Sequence, residues 1–382
     1  MNAIRSLEQL GQSIWYDNIS RSLLRSGGLQ RMVREDGLLG VTSNPSIFEK
    51  SIAGSDDYDA ELRGILARNP GTPVPDLIQT LMVSDIRHAA EDLREVYDRT
   101  RGRDGYVSVE VTPAKARDAR ATIEEVRLLW RVIDRPNLMV KIPATREGLT
   151  AIEQAVSEGM NINVTLIFSV ERYREVAAAY ITGLERRHRE GKPLAHVASV
   201  ASVFVSRVDT LVDEMLQARM SALPAQDHVD RLGDLLGRAA VANTRIIYQA
   251  FKESFQGPRF AALRSAGASL QRPLWGSTST KNPAYGDLLY VETLVGPHSV
   301  NTVPPVTYAA ILDHLQPSLT IEQDVPGAHA HMRMLEAEGI DVALVMKKLE
   351  EDGVAAFEKS FDGLIRNLEA KKHQFLQTAS AR

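Results

Sequence analysis

Cysteine is absent from this 382-residue sequence. Its absence excludes disulfide bonds, thiol nucleophiles and cysteine-ligated zinc or iron–sulfur sites, and it suits a reducing compartment. Long apolar runs are also lacking, since the longest, Val203–Val205 with its small neighbours from Val197, is far too short to span a bilayer. The N-terminal residues MNAIRSLEQLGQS have no apolar core of the signal-peptide kind. We therefore expect a cytoplasmic protein with no membrane partner.

Strong charge of either sign is lacking as well. The formal net charge is −4, which argues against nucleic acid as the main partner. With 44% hydrophobic residues the chain can bury a large core, and its length allows one large α/β domain or two ordinary ones. No Gly/Pro/Ser-rich linker divides it, which favours one domain.

Eight short apolar or alternating segments separated by helical ones predict the fold. The predicted strands are Ser13–Ser20, Gly37–Pro45, Tyr106–Thr112, Leu138–Thr145, Asn161–Phe168, His196–Val208, Arg272–Asn282 and Ser299–Pro304. The predicted helices are Ser20–Leu29, Pro75–Thr100, Ala121–Asp134, Leu149–Glu158, Glu171–Glu190, most of Asp209–Ser269 with a break around Leu223-Pro224, and the chain beyond Val306. This order predicts a single (β/α)8 TIM barrel over residues 1–382, with barrel strands at about 13–304 and a C-terminal helical extension at 306–382.

Lys141 is the unexpected residue of the fourth predicted strand, Leu138–Thr145 (LMVKIPAT). An apolar strand of this kind is typical of a parallel sheet buried on both faces, where a lysine is rare. Lys141 could pair with a carboxylate or reach water at the strand end. Alternatively, burial could lower its pKa until the neutral amine attacks a carbonyl and forms a Schiff base.

Strand parity places polar residues on one face of the predicted sheet. That face carries Asp17, Thr42, Asn44, Ser108, Glu110, Lys141, Asn163, Thr165, Ser202 and Phe204. An antiparallel sheet with one wet face would alternate in the same way, but the intervening helices favour the parallel barrel. Polar residues near strand C-termini are where barrel enzymes carry out their chemistry.

Several motifs in the same order and spacing resemble the transaldolase family, in its longer bacterial form, along almost the whole chain. They are WYDNISR (Trp15–Arg21), GVTSNPSIFEK (Gly40–Lys50), VSVEV (Val107–Val111), LMVKIPAT, NINVTLIFS (Asn161–Ser169), SVFVSRVD (Ser202–Asp209) and STSTKNPAY (Ser277–Tyr285). The resemblance implies a class I aldolase barrel with Lys141 as the Schiff-base lysine. It also implies transfer of a dihydroxyacetone unit between sugar phosphates in the non-oxidative pentose phosphate pathway, without cofactor or metal, by a monomer or homodimer.

The resemblance also implies roles for individual residues. Asp17 would move the proton of the C4 hydroxyl, and Glu110 with Thr165 would hold a proton-shuttling water. Asn44 and Asn163 would bind the dihydroxyacetone hydroxyls, while Arg207 would bind the phosphate. The substrate-binding set is completed by Thr42, Ser202, Phe204, Ser279 and Lys281. Each also has an ordinary structural alternative, such as a turn cap for Asp17 or a surface position for Arg207.

The stretch Ser277–Asn282 departs from the shorter transaldolases, which carry a second phosphate-binding arginine there. This sequence has none, so we predict that Lys281, helped by Ser279, supplies the missing charge. The prediction assumes that the seventh strand runs far enough for Ser277, Ser279 and Lys281 to share a face.

Two other functions stay open at the level of sequence. Related aldolases that release free dihydroxyacetone carry Tyr at the position of Phe204 and Gln at that of Glu110, so these two residues favour the transferase. A non-catalytic sugar-phosphate-binding protein is the other alternative, which the intact lysine and carboxylates disfavour. The basic segment Arg99–Arg103 is interpreted as a solvated loop, and His196 and His298 are predicted at the N-terminal ends of strands.

Overall fold

The computed structural model describes residues 2–222 and 226–380. Its eight strands are β1 (Gln12–Tyr16), β2 (Gly40–Val41), β3 (Tyr106–Glu110), β4 (Leu138–Pro143), β5 (Ile162–Ile167), β6 (Ser199–Phe204), β7 (Gln271–Gly276) and β8 (Ser299–Val303). They are parallel and close into a barrel in sequence order, with β1 pairing to β8. The predicted TIM-barrel fold is confirmed.

Helices surround the barrel and continue beyond it. They are α1 (Ala3–Gln9), α2 (Arg21–Arg25), α3 (Gly28–Arg31), α4 (Pro45–Phe48), α5 (Asp59–Arg68), α6 (Val74–Asp92), α7 (Arg94–Arg99), α8 (Ala119–Ile133), α9 (Arg146–Glu158), α10 (Val170–Arg189), α11 (Ser206–Ala222), α12 (Gln226–Gly233), α13 (Ala239–Gln256), α14 (Pro258–Ser265), α15 (Leu289–Glu292), α16 (Pro305–His314), α17 (Val325–Ala337) and α18 (Val342–Ser380). The predicted break at Leu223-Pro224 lies outside the described residues. Within those residues, no helix is long and apolar enough to cross a membrane.

Several predicted boundaries are wrong for identifiable reasons. The first strand ends at Tyr16, because the segment from Asp17 leads to Ser20, whose side chain caps α2. The seventh ends at Gly276, because Ser277 has a left-handed backbone with φ of 54°. The sixth ends at Phe204, so that Arg207 lies in the first turn of α11 rather than within the predicted strand. The predicted helix at 75–100 is interrupted between α6 and α7.

Short polar caps turn the chain from strand to helix at the C-terminal end of the barrel. Asn44 caps α4, Thr145 caps α9 and Ser169 caps α10, each through a side-chain oxygen that accepts a backbone N–H of the first turn. The strands therefore stop at a common level, where the side chains of their last residues can face a shared opening. Barrel enzymes build their active sites at this C-terminal end.

The barrel interior is filled in layers. At the N-terminal end Arg272 donates hydrogen bonds to Ser13 Oγ (2.6 Å) and Asp104 Oδ1 (3.0 Å). Above this polar layer, a buried apolar layer consists of Trp15, Tyr106, Met139, Val200, Leu274 and Val300. Gly40 leaves room for it, since a Cβ there would lie 2.6 Å from the Trp15 ring. The apolar layer separates the two ends of the barrel interior.

The last helix, α18, extends for 39 residues and packs against α4, α6, α11 and β5. Leu364 and Leu368 are fully buried on one of its faces. Phe357 is also buried and lies near the C-terminal end of the barrel, with its ring centroid 6.5 Å from that of Phe204. The helix therefore covers part of the barrel mouth.

Candidate active site

A cavity of about 350 Å³ opens at the C-terminal end of the barrel. The structure brings most of the predicted site residues to it, namely Asp17, Thr42, Asn44, Lys141, Ser202, Phe204, Arg207, Ser279 and Lys281. Three predicted residues do not line it: Glu110, Asn163 and Thr165 are buried beside or behind Lys141. The cavity is thus polar and contains both carboxylate and cationic side chains.

Lys141 lies at the bottom of the cavity and is only 5% exposed. Its Nζ atom is 3.4 Å from Oε2 of Glu110 and donates a hydrogen bond of 3.4 Å to the Ser43 carbonyl. On the open side, Nζ lies 5.6 Å from the centroid of the Phe357 ring. A primary amine is therefore held at the cavity floor with few polar neighbours, where a carbonyl carbon could approach it.

Glu110 is buried on β3 directly opposite Lys141 in the strand register. Burial raises the pKa of Glu110 to about 7, although the positive charge of Lys141 acts in the opposite direction. Neither carboxylate oxygen has a hydrogen-bond partner among the described residues, and the same holds for the buried Thr165 hydroxyl. Such a carboxyl group can exchange a proton near neutral pH.

Asp17 follows β1 immediately and projects into the cavity. The Thr42 hydroxyl donates a hydrogen bond of 2.7 Å to its Oδ1, and a second contact of 2.5 Å joins the hydroxyls of Thr42 and Thr302. Burial raises the pKa of Asp17, while the charge of Lys141 and the Thr42 hydrogen bond lower it. Asp17 is thus oriented by Thr42 toward the same cavity as the Lys141 amine.

The two predicted asparagines are held differently. Asn44 uses Oδ1 to cap α4, accepting from the Ile47 amide at 3.0 Å, while its side chain borders the cavity. Asn163 lies below the cavity, where its Nδ2 donates to Ser108 Oγ (3.0 Å) and its Oδ1 accepts from Ser202 Oγ (2.6 Å). In this arrangement Asn163 orients Ser202, which does border the cavity.

Cationic side chains gather at the cavity mouth. Arg207 projects from α11, with its guanidinium carbon 5.1 Å from the Phe204 ring centroid, and Lys281 donates a 2.7 Å hydrogen bond to Ser279 Oγ. Burial lowers the pKa of Lys281, and the charges of Arg207 and Lys50 lower it further. The shared strand face assumed for Lys281 is wrong because β7 ends at Gly276, yet the loop still brings this lysine to the cavity.

Sequence reasoning missed several residues of this cavity, and two of them carry a charge or a ring that the site can use. Lys50 ends the motif GVTSNPSIFEK and borders the cavity, so the motif contained a signal that was not used. Phe357 comes from α18, more than 50 residues after the last strand, and no pattern in the sequence connects it to the barrel. Tertiary packing alone brings it there.

Among the described residues, no histidine lines the cavity. Within residues 2–222 and 226–380, no group of three or more histidine or carboxylate side chains could hold a metal ion. His298 precedes β8 and therefore lies at the opposite end of the barrel from Lys141. The cavity lining itself offers an amine, a carboxyl group and several hydroxyl groups.

Comparison with known proteins agrees with this geometry. The family model described as Transaldolase/Fructose-6-phosphate aldolase matches residues 14–368. A transaldolase of Trichodesmium erythraeum is 43% identical over 373 residues, 97% of either chain. Transaldolases of Thermobifida fusca and Thiobacillus denitrificans are 45% and 44% identical, covering 95% and 96% of this chain and 96% and 100% of their own. This chain belongs to the transaldolase/fructose-6-phosphate aldolase family.

Proposed function

We propose that this enzyme is a transaldolase of the non-oxidative pentose phosphate pathway. It transfers a dihydroxyacetone unit from sedoheptulose 7-phosphate or fructose 6-phosphate to glyceraldehyde 3-phosphate or erythrose 4-phosphate. The observation that carries the proposal is the buried Lys141 amine at the floor of a cavity with cations at its mouth. The names of the similar proteins support the same activity.

In this reaction the Lys141 amine attacks the C2 carbonyl of the ketose, and loss of water from the carbinolamine gives a protonated imine. Glu110 is near enough to Nζ to relay protons during these steps, and its pKa of about 7 suits a group that both donates and accepts. Thr165, whose hydroxyl has no partner in the described residues, would hold the relaying water with Glu110.

Asp17 then removes the proton of the C4 hydroxyl. The C3–C4 bond breaks, its electron pair moves toward the imine to give an enamine on Lys141, and the aldose phosphate leaves as an aldehyde. The acceptor aldehyde is attacked by the enamine carbon, and Asp17 returns the proton to the new hydroxyl. Hydrolysis of the imine by water releases the product ketose and restores the amine.

The enamine must stay bound while the first aldose leaves and the second arrives. Asn44, Thr42 and Ser202 border the cavity and supply amide and hydroxyl groups for the dihydroxyacetone oxygens. Asn163, which was predicted to contact substrate directly, would act by orienting Ser202. The Phe204 and Phe357 rings would limit the access of water to the enamine.

The substrate phosphate would bind at the cavity mouth. Arg207 and Lys50 lie close enough to Lys281 to lower its pKa. The three positive charges repel one another, and a bound anion would relieve this repulsion. Ser279 orients the Lys281 ammonium through its 2.7 Å hydrogen bond. Lys281 therefore takes the place of the second arginine, as a point charge rather than a planar fork.

The family description includes fructose-6-phosphate aldolase, which is the second candidate function. Phe204 and Glu110 favour the transferase, since related aldolases carry Tyr and Gln at these positions. We also propose that the protein acts in the cytoplasm, as a single domain and as a monomer or homodimer. These further features follow from composition and resemblance.

A coupled assay with and without acceptor distinguishes the candidates. With fructose 6-phosphate and erythrose 4-phosphate, we expect sedoheptulose 7-phosphate to form rapidly. Without acceptor, we expect at most slow release of dihydroxyacetone. Equal rates of dihydroxyacetone release with and without acceptor would support the aldolase, and binding without any turnover would support a sugar-phosphate-binding protein.

A further inference from the structure

A second cavity, of about 520 Å³, opens at the N-terminal end of the barrel, opposite the candidate active site. Its position follows from the residues around it, since Arg272 lies near the start of β7 and His298 directly precedes β8. The apolar layer that contains Trp15 and Met139 lies between this cavity and Lys141. We call this opening the basal cavity.

Five cationic side chains border the basal cavity, namely Arg101, Arg103, Lys252, Arg264 and Arg272. Within the described ranges, no aspartate or glutamate borders it. This composition is unusual in a chain whose formal net charge is −4. The basal cavity therefore concentrates positive charge on an otherwise slightly acidic protein.

Few carboxylates neutralise these cations. Arg272 and Arg103 share one, Asp104, at 3.0 Å and 3.6 Å, and Lys252 forms an ion pair with Glu322. In the part of the chain that the structure describes, Arg101 and Arg264 form no salt bridge, although Arg264 donates a hydrogen bond to the Phe255 carbonyl. About three positive charges are therefore left without a carboxylate partner, an arrangement that an anion would relieve.

Two further observations agree with a site for an anion. The Nε atom of Arg272 is buried and has no hydrogen-bond partner among the described residues, although its other guanidinium nitrogens donate to Asp104 and Ser13. Burial and the charges of Arg272, Arg103 and Arg264 lower the pKa of His298. The charges of these three arginines are therefore felt at His298, which also borders the basal cavity.

Apolar side chains also border the basal cavity. They include Tyr106, Met139, Val200, Phe251 and Phe255. A cavity of this volume accepts a small organic molecule, and guanidinium groups are suited to phosphate oxygens. A ligand that has both charged groups and an apolar body matches the two kinds of side chain.

We propose that the basal cavity binds a small polyanion, one that carries two or more phosphate charges on a flat or apolar body. Arg101, Arg103 and Arg264 contact the phosphates, and the apolar wall contacts the body. This site is separate from the proposed sugar-phosphate site, because the barrel's interior layers lie between them.

Titration calorimetry with ADP as the probe tests the proposal on the full-length protein. We expect ADP to bind the native protein at micromolar to low millimolar concentration. Pyrophosphate, which lacks the apolar body, should bind about tenfold or more weakly, and uncharged adenosine should not bind detectably. If ADP does not bind at about 10 millimolar, which is above the concentration range expected here, the proposal is contradicted. Equal binding of ADP and pyrophosphate would contradict it as well.

Variants locate the bound probe. The Arg101→Ala/Arg264→Ala double variant should weaken ADP binding by about tenfold or more, since charge-assisted contacts are lost. Arg207→Ala, at the other end of the barrel, should leave it unchanged. A loss with Arg207→Ala would mean that ADP occupies the sugar-phosphate cavity.

A charge-matched control completes the test. Arg333→Ala/Arg366→Ala removes two exposed arginines from α17 and α18 and should not alter ADP binding. An equal loss in this control would mean that net charge, rather than the basal cavity, attracts the probe. ADP binding is measured without turnover, so a negative binding result would not contradict the proposed transaldolase activity. A negative transaldolase assay would likewise not contradict ADP binding.

Discussion

Nζ of Lys141 and Oε2 of Glu110 lie 3.4 Å apart on adjacent strands, at positions directly opposite in register. Both residues are buried, and neither carboxylate oxygen forms a well-aligned hydrogen bond to a described residue. Removing one partner of a buried pair leaves the other charge uncompensated, which is destabilising. The pair is suited to passing protons between amine, water and carboxyl group.

Glu110→Gln tests this proton relay directly. The substitution keeps shape but cannot exchange a proton, so imine formation should slow by roughly 100-fold or more. Rapid-quench trapping of the imine measures this rate, and binding of the substrate phosphate should change little. A near-normal rate would reduce Glu110 to a structural partner of Lys141.

The pKa of Glu110 also predicts how stability depends on pH. With a pKa of about 7 in the fold and 4.5 as its ordinary value, Glu110 keeps a proton in the folded state that the unfolded chain has already lost. The free energy of unfolding should therefore fall as pH rises from about 4.5 to 7, by an amount on the order of 1–3 kcal/mol from this group.

Urea unfolding at several pH values measures this contribution. In Glu110→Gln, the free energy of unfolding should no longer show the part of its fall with pH that comes from this group. The exposed control Glu124→Gln should show the same fall as the native protein. Identical pH profiles for the native protein and Glu110→Gln would contradict the raised pKa.

Asp17→Asn should separate imine formation from carbon–carbon bond cleavage. Lys141 can still form the imine, but without a base at C4 the bond should break about 100- to 10,000-fold more slowly. Borohydride should then trap a substrate adduct that keeps all carbons of the ketose, as judged by intact mass. Normal turnover in Asp17→Asn would assign the base elsewhere.

Lys281→Ala should affect only phosphorylated substrates. A charge-assisted contact contributes about 1.5–3 kcal/mol, so KM for fructose 6-phosphate should rise about 10- to 100-fold with kcat nearly unchanged. Reaction with unphosphorylated fructose should be unaffected, and the exposed control Lys347→Ala should behave as the native protein. Equal loss with both sugars would show that Lys281 does not bind phosphate.

The barrel and the floor of the cavity could be predicted from sequence because they depend on local patterns. Alternation along β3 and β4 puts Glu110 and Lys141 on the inner face, and the structure has both there. The loop at Ser277 could not be predicted in this way, since its left-handed backbone ends β7 without a glycine or proline at that position.

Contacts between distant segments could not be predicted either. Phe357 reaches the cavity only because α18 packs across the barrel mouth, and Asn163 lies below the cavity because Ser108 and Ser202 occupy both ends of its amide. The segment Arg99–Arg103 is predicted to be a solvated loop, and Arg101 and Arg103 are indeed exposed, but the sequence does not show that they border the basal cavity. In each case the deciding contacts are far apart in sequence.

The most direct test of the central claim is to locate the covalent bond to substrate. Borohydride reduction in the presence of fructose 6-phosphate should give one stable adduct per chain, and peptide mass spectrometry should place it on Lys141. Lys141→Met, which is similar in length but has no amine, should give neither adduct nor turnover. An adduct on another lysine, or full turnover without any trapped adduct, would contradict the Schiff-base mechanism.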